Sequence, residues 1–159
     1  MRRKRGDGPI RPLLEVKQLA VDFHIHGSRI PALKDVSFSL MPGRTLAIVG
    51  ESGSGKTVTS QAILGILPNS AEIAAGEILF TDEASGQTVD VASLHPNSPD
   101  MRDIRGNKIS IIFQEPMVSL SPMHSIGDQI SEAMLLHRTV DKKEAKRATI
   151  DMLQLVGFP

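Results

Sequence analysis

The sequence predicts an α/β fold, and three observations carry that reading. Two apolar segments of period two flank a Gly27-Ser28 turn, an apolar run ending at Val49 leads straight into a glycine-rich loop and an amphipathic segment, and two helical patterns close the chain. The 159 residues are 40% hydrophobic, and adding the 13 glycines gives an apolar share of about 48%, inside the globular range. That is material for one domain, or for part of one.

Leu14, Val16, Leu19, Val21, Phe23 and Ile25 alternate with one slip, so residues 13–25 read as a strand. Val36, Phe38 and Leu40 alternate with Ser37 and Ser39, a half-buried strand ended by Pro42-Gly43, a pair suited to a type II turn. Together they predict an antiparallel hairpin. Residues 44–49 are nearly all apolar, the pattern of a strand covered on both faces. Val58, Ala62, Ile63, Ile66 and Leu67 recur every three to four positions, which predicts a helix over 56–67, stopped by Pro68-Asn69.

Residues 76–81 form another short strand pattern. From 82 to 99 the composition turns to Ser, Gly, Asn, Asp and Pro, a flexible insertion with one weak strand over 89–94. Residues 108–113 are a strongly apolar strand, followed by a loop rich in Pro and Ser over 114–122. The first closing helix spans about 127–137, with Ile130, Ala133, Met134 and His137 on one face. The second starts at Asp141, where Asp141 and Glu144 form a capping-box pair; Ala145, Ala148, Met152, Leu155 and Val156 make its buried stripe, and Gly157 ends it.

Composition excludes several function classes. Eighteen Lys and Arg balance eighteen Asp and Glu, so no global field draws nucleic acid or an anionic membrane, and no nucleic-acid partner is expected. With no cysteine there is neither a disulfide framework nor a thiolate metal site. The longest apolar runs are strand-sized, far short of the roughly 20 residues of a membrane-spanning helix. Met1-Arg2-Arg3-Lys4-Arg5 leads into Gly6-Asp7-Gly8-Pro9 rather than an apolar stretch, so residues 1–12 read as a solvated basic tail, not a secretory signal.

Gly50-Glu51-Ser52-Gly53-Ser54-Gly55-Lys56-Thr57 matches G-x-x-x-x-G-K-[ST] in full, between a predicted strand and a predicted helix, the context the motif requires. Glycines at 50, 53 and 55 let consecutive backbone N–H groups point into one concavity, and the following helix adds its positive end. Phosphate oxygens fit such a nest. Lys56 is expected to reach the β- and γ-phosphates, and Thr57 Oγ1 to ligate the Mg²⁺ that bridges them.

The order of hairpin, strand, phosphate loop, helix and short strand is followed by Ile109-Ser110-Ile111-Ile112-Phe113-Gln114-Glu115-Pro116. In that order the sequence resembles the ATP-binding subunits of ABC transporters. Gly50 to Thr57 combined with Ile112-Phe113-Gln114-Glu115-Pro116-Met117-Val118-Ser119-Leu120-Ser121-Pro122 is similar, more narrowly, to the oligopeptide and dipeptide importer ATPases. The similarity covers about residues 13–158. It implies a P-loop NTPase fold of ABC ATPase type, with ATP and Mg²⁺ as cofactors and residues 127–159 opening a helical subdomain.

The resemblance further implies that Gln114 matches the Q-loop glutamine, which senses the γ-phosphate and ligates Mg²⁺ or orients water, with Lys56 on the same phosphate. Residues 115–137 would face transmembrane permease subunits. A second ATP-binding subunit and, indirectly, an extracytoplasmic solute-binding protein complete the implied assembly, on the cytoplasmic face of the inner membrane. Such ATPases stack an aromatic ring on adenine, most often a tyrosine, and this chain has none. Phe23 stands at the matching position, although it equally continues the buried series Leu19, Val21.

The signature segment, the Walker B aspartate with its catalytic glutamate, and the switch histidine of the family do not occur among the 159 residues. The sequence therefore reads as the N-terminal portion of such an ATPase, with nucleotide contacts present and the hydrolytic base missing. Two readings stand beside transport-coupled hydrolysis: a catalytically silent fragment that binds nucleotide, and another P-loop NTPase such as a small-molecule kinase or a GTPase. Asp103-Ile104-Arg105-Gly106 matches the D-x-x-G of GTPases, but Asn107-Lys108 is followed by Ile109 and Ser110 rather than completing N-K-x-D. His24 and His26 share a strand face with Asp22 and read as solvated polar residues, not metal ligands.

Overall fold

A computed structural model describes residues 11–114, 120–137 and 140–158. Residues 1–10 of the tail expected over 1–12, and Glu115, Pro116, Met117, Val118 and Ser119 of the importer-like block, lie outside the described residues. The chain divides into two units, one ending at Arg102 and the other starting at Asp103.

The first unit is built on the predicted hairpin. Strand β1 (Leu14–Ile25) pairs antiparallel with β2 (Ser28–Leu40), from Leu14 opposite Leu40 to Ile25 opposite Ser28. His26 and Gly27 close it with φ of 50° and 77°, the left-handed pair of a type I′ turn, whose twist matches the strands it joins. Strand β3 (Ala71–Thr81) adds to the other edge of β1, and the short β4 (Thr88–Asp90) adds to β3, giving the order β2-β1-β3-β4. The slip in the β1 pattern is a bulge: Gln18 takes φ 48°, and its carbonyl faces Gly76 so closely that a Cβ there would lie 2.5 Å away.

Because side chains alternate, Leu14, Val16, Leu19 and Val21 of β1 join Leu33, Ile78 and Phe80 on one buried face. Helix α1 (Lys56–Ile63) contacts β2 and the 3-10 turn Val91–Ser93, and contributes Thr59 and Ala62 to the buried residues. Asp90 ties β4 to that turn, its Oδ1 accepting the N–H of Ile78 at 3.0 Å and of Ala92 at 3.1 Å. Helix α2 (Pro99–Asp103) adds Met101, which is fully buried.

In the second unit, Ile104–Lys108 forms a wide turn closed by Ile109 N–H to the Ile104 carbonyl at 2.9 Å. Helices α3 (Ile126–His137) and α4 (Lys142–Leu155) pack on each other. Asp141 caps α4 as read from the sequence: its Oδ1 accepts from Lys143 and Glu144 N–H at 2.7 and 2.8 Å, and Glu144 answers on the Asp141 N–H. Gly157, at φ 80°, ends it with a Schellman pair, Phe158 N–H to Leu153 O and Gly157 N–H to Gln154 O. Among the described residues no helix is long and apolar enough to cross a membrane.

Five expectations need correction. Residues 44–49 and 110–113 carry no sheet ladder, and Leu46, Ile48, Val49 and Ile112 are exposed, Ile112 by 94%. Apolar content predicts what a strand could bury, but a strand exists only through a partner ladder, and no described strand pairs with either run. Helix α1 stops at Ile63, not Leu67, because Gly65 takes φ 60° and its Schellman bonds run to Ala62 and Gln61 ahead of the proline. The weak strand at 89–94 is only Thr88–Asp90 before the chain tightens into the 3-10 turn. In α4 the buried positions are Ala145 and Thr149, whereas Leu155 and Val156 are 87% and 78% exposed.

Candidate functional site: a phosphate-binding loop

The loop of residues 50–57 lies in the first unit and ends as the N-cap of α1. Gly55 takes φ 90° and ψ 2°, a left-handed conformation, and Gly53 takes φ 81°. A Cβ on Gly55 would lie 2.3 Å from Leu33 Cδ2 and 3.3 Å from the Ala32 carbonyl, so the loop is seated directly on β2. Leu33 in turn pairs with Val21 of β1. At Gly50 the neighbour is the loop itself, since a Cβ there would meet Ser54 Oγ at 2.7 Å. Gly55 thus stands where the chain passes β2 too closely for a side chain, whereas the close neighbour of Gly50 is the end of a serine side chain that can turn away.

Lys56 curls back over this ring. Its Nζ donates to the Gly50 carbonyl at 2.8 Å, the Glu51 carbonyl at 2.6 Å and Ser54 Oγ at 3.2 Å, while Ser54 N–H bonds to Glu51 O at 3.2 Å. These contacts hold the ammonium over the concave side of the loop. No side chain caps α1 and no acidic residue stands in its first turn, so its leading N–H groups keep their positive end for an anion. Thr59 fixes the helix start, its N–H and Oγ1 both reaching the Gly55 carbonyl, at 2.9 and 3.0 Å. Glu51, Ser52 and Thr57 are exposed. A triphosphate with its Mg²⁺ fits this donor set: backbone amides and Lys56 for the phosphates, the Thr57 hydroxyl for the cation.

The 159 residues align with known proteins in the same region. A family profile described as "ABC transporter" matches residues 33–158. This chain belongs to the ABC transporter family. The dipeptide transport ATP-binding protein DppD of Bacillus subtilis (strain 168) is 46% identical over 148 residues, covering 92% of this chain and 42% of that protein. The oligopeptide transport ATP-binding protein OppD of the same organism is 44% identical over 148 residues, covering 92% of this chain and 39% of its own length. The chain spans about two fifths of the length of these curated relatives. Among solved structures, the dimeric ABC transporter cassette MJ0796 matches with a TM-score of 0.71 at 19% identity, over 89% of this chain and 56% of that one. The α/β ABC ATPase fold and the resemblance to peptide-importer ATP-binding subunits read from the sequence both hold.

Of the other expected ABC site residues, Gln114 lies in the second unit, exposed, at the end of the unladdered run 110–113. Phe23 is half-buried in the middle of the sheet, opposite Ile30 on β2 and Ala71 on β3. It lies two residues along β1 from Val21, the partner of the Leu33 that backs the loop.

The signals set aside in the sequence have structural roles. Asp22 takes the guanidinium of Arg29, and His24 Nε2 lies 3.0 Å from Glu72 Oε1. Among the described residues no group of three or more His, Cys, Asp or Glu could hold a metal ion. The GTPase-like Asp103 accepts from Asn107 Nδ2 at 3.0 Å and serves the wide turn. Sequence reading missed the Lys56 contacts to its own loop and the hold of the Gln129 side-chain amide on Ser121, whose N–H and carbonyl it meets at 2.8 and 3.0 Å. The first follows from the motif once the loop is folded; the second had no local signal.

Proposed function

We propose that this chain is a nucleotide-binding segment of an ABC ATP-binding subunit, one that holds MgATP in its phosphate loop without turning it over by itself. The observation that carries the reading is the convergence of Lys56 Nζ on the Gly50 and Glu51 carbonyls at the foot of an uncapped helix. Lys56 would exchange those carbonyls for phosphate oxygens, the amides of residues 50–57 would cradle the phosphates, and Thr57 would hold Mg²⁺. When bound, Mg²⁺ would supply neutralisation of the phosphate charge. The sequence resemblance assigns Gln114 to the γ-phosphate and its Mg²⁺, and Phe23 to adenine, and both assignments are part of the proposal.

In a full-length subunit the same loop would couple ATP binding and hydrolysis to import of peptides or similar solutes. That reading adds permease subunits, a second ATP-binding subunit and an extracytoplasmic binding protein, at the cytoplasmic face of the inner membrane. Similarity to the dipeptide and oligopeptide transport ATP-binding proteins supports it. Residues 13–159 are then a partial nucleotide-binding domain, with 127–159 in its helical subdomain.

The test is a titration of the 159-residue chain with fluorescent ATP, in Mg²⁺ and in EDTA, beside a phosphate-release assay. Mg²⁺ is expected to tighten binding of the unmodified chain several-fold, on the order of 1 kcal/mol, and Thr57→Val to abolish that gain. No phosphate release is expected above background. Phosphate release that disappears with Lys56→Ala would mean that the hydrolytic base lies within these residues.

A further inference from the structure

Helices α3 and α4 use only one of their faces inside the second unit. Ile130, Met134 and His137 look to the wide turn at 104–108, where Gly106 lies against the His137 imidazole. On the other side the two helices are the walls of a groove of about 650 Å³. Along α3 the groove passes from acidic, Asp128 and Glu132, to apolar, Leu135 and Leu136. Along α4 it passes from basic, Lys142 and Lys146, to apolar, Ile150 and Leu153. The apolar ends are open, with Leu136 71% and Ile150 46% exposed.

Residues 138–141 join the helices, and so short a connection makes them antiparallel neighbours. The apolar end of each helix therefore lies beside the charged end of the other. The groove has four corners, with apolar surface on one diagonal and opposite charges on the other. A two-fold axis laid along the apolar diagonal returns each apolar corner onto its own copy, and carries the acidic corner of one chain onto the basic corner of its partner. Pairing of identical faces requires such self-complementarity. An axis along the charged diagonal sets acid on acid, and an axis along or across the helices sets charge on apolar surface. Among the described residues no ion pair crosses the groove within one chain, so its charges are open to a partner. The chain's formal charge of zero adds no net repulsion between copies. We propose that two copies of this chain pair groove to groove through α3 and α4, about the apolar diagonal.

Sedimentation equilibrium of the 159-residue chain, in EDTA and without nucleotide, tests this. The mass is expected to rise from one chain to two between about 1 and 200 µM, the range of a small interface with a charged rim. Leu136→Asp sets two carboxylates against each other near the axis and is expected to weaken pairing at least about tenfold. Glu132→Lys and Lys146→Glu are each expected to weaken it about tenfold, since each spoils both symmetry-related charged corners. Mixed in equal amounts, these two variants are expected to pair better than either alone, because one acidic corner again meets one basic corner. All three positions are exposed, so the far-ultraviolet circular dichroism is expected to stay that of the unmodified chain. The mixing arm carries the test should Leu136→Asp fail to fold. A single chain at every concentration would overturn the proposal and leave the groove to a different protein. Pairing that survives Leu136→Asp, or charge variants that stay single when mixed, would overturn it as well. Pairing that appears only with ATP and Mg²⁺ would put the contact on another surface, with the same consequence.

Discussion

ATP is expected to bind the Lys56→Ala chain about 10- to 100-fold more weakly than the unmodified chain, while AMP affinity stays within about twofold. The size follows from the contact being lost. A charged hydrogen bond to phosphate contributes about 1.5–3 kcal/mol net. Lys56 is already held over the loop by the Gly50 and Glu51 carbonyls, so little side-chain freedom remains to be lost on binding. The alanine variant also loses the loop's internal fastening, because the same ammonium reaches Ser54 Oγ. AMP carries no β- or γ-phosphate and serves as the control. Fluorescent nucleotide titration reads both numbers, and equal ATP affinity in the two chains would mean that the loop does not bind phosphate through Lys56.

The second large effect separates two glycines of the same loop. Gly53 and Gly55 both sit at positive φ, 81° and 90°, so an alanine at either carries similar left-handed strain, about 1–2 kcal/mol. Their surroundings differ. Nothing lies within 4 Å of a Cβ at Gly53, whereas at Gly55 it would lie 2.3 Å from Leu33, which is only 4% exposed and braced by β1. Overpacking of that kind costs about 1–3 kcal/mol more. Gly55→Ala is therefore expected to destabilise the chain by about 2–5 kcal/mol in denaturant unfolding, and Gly53→Ala by about 1–2 kcal/mol. Equal losses would mean that the loop is not seated on β2.

The residues that could be read from sequence are those whose signal is local. The phosphate loop is one contiguous motif, the hairpin declares itself by alternation around Gly27, and the Asp141 and Gly157 ends of α4 are set by bonds spanning five residues or fewer. What escaped depends on distant partners. Residues 44–49 and 110–113 have strand composition, yet ladders need a neighbour that composition does not report. Leu155 and Val156 continue a helical stripe, yet they are exposed, because periodicity does not report whether a neighbour is there to cover it. Pro68 is a helix stop, but the left-handed turn at Gly65 ends α1 before it. The grip of Gln129 on Ser121 crosses a loop and leaves no periodicity to find.

The most direct measurement is calorimetric titration of the 159-residue chain with ATP, ADP and AMP in the presence of Mg²⁺. If the loop seated on β2 is a phosphate site, ATP and ADP bind saturably with one-to-one stoichiometry, and AMP binds at least about tenfold more weakly, the equivalent of ~1.4 kcal/mol carried by the distal phosphates. AMP binding as tightly as ATP, or no saturable heat with any of the three, would contradict a phosphate-binding role for residues 50–57.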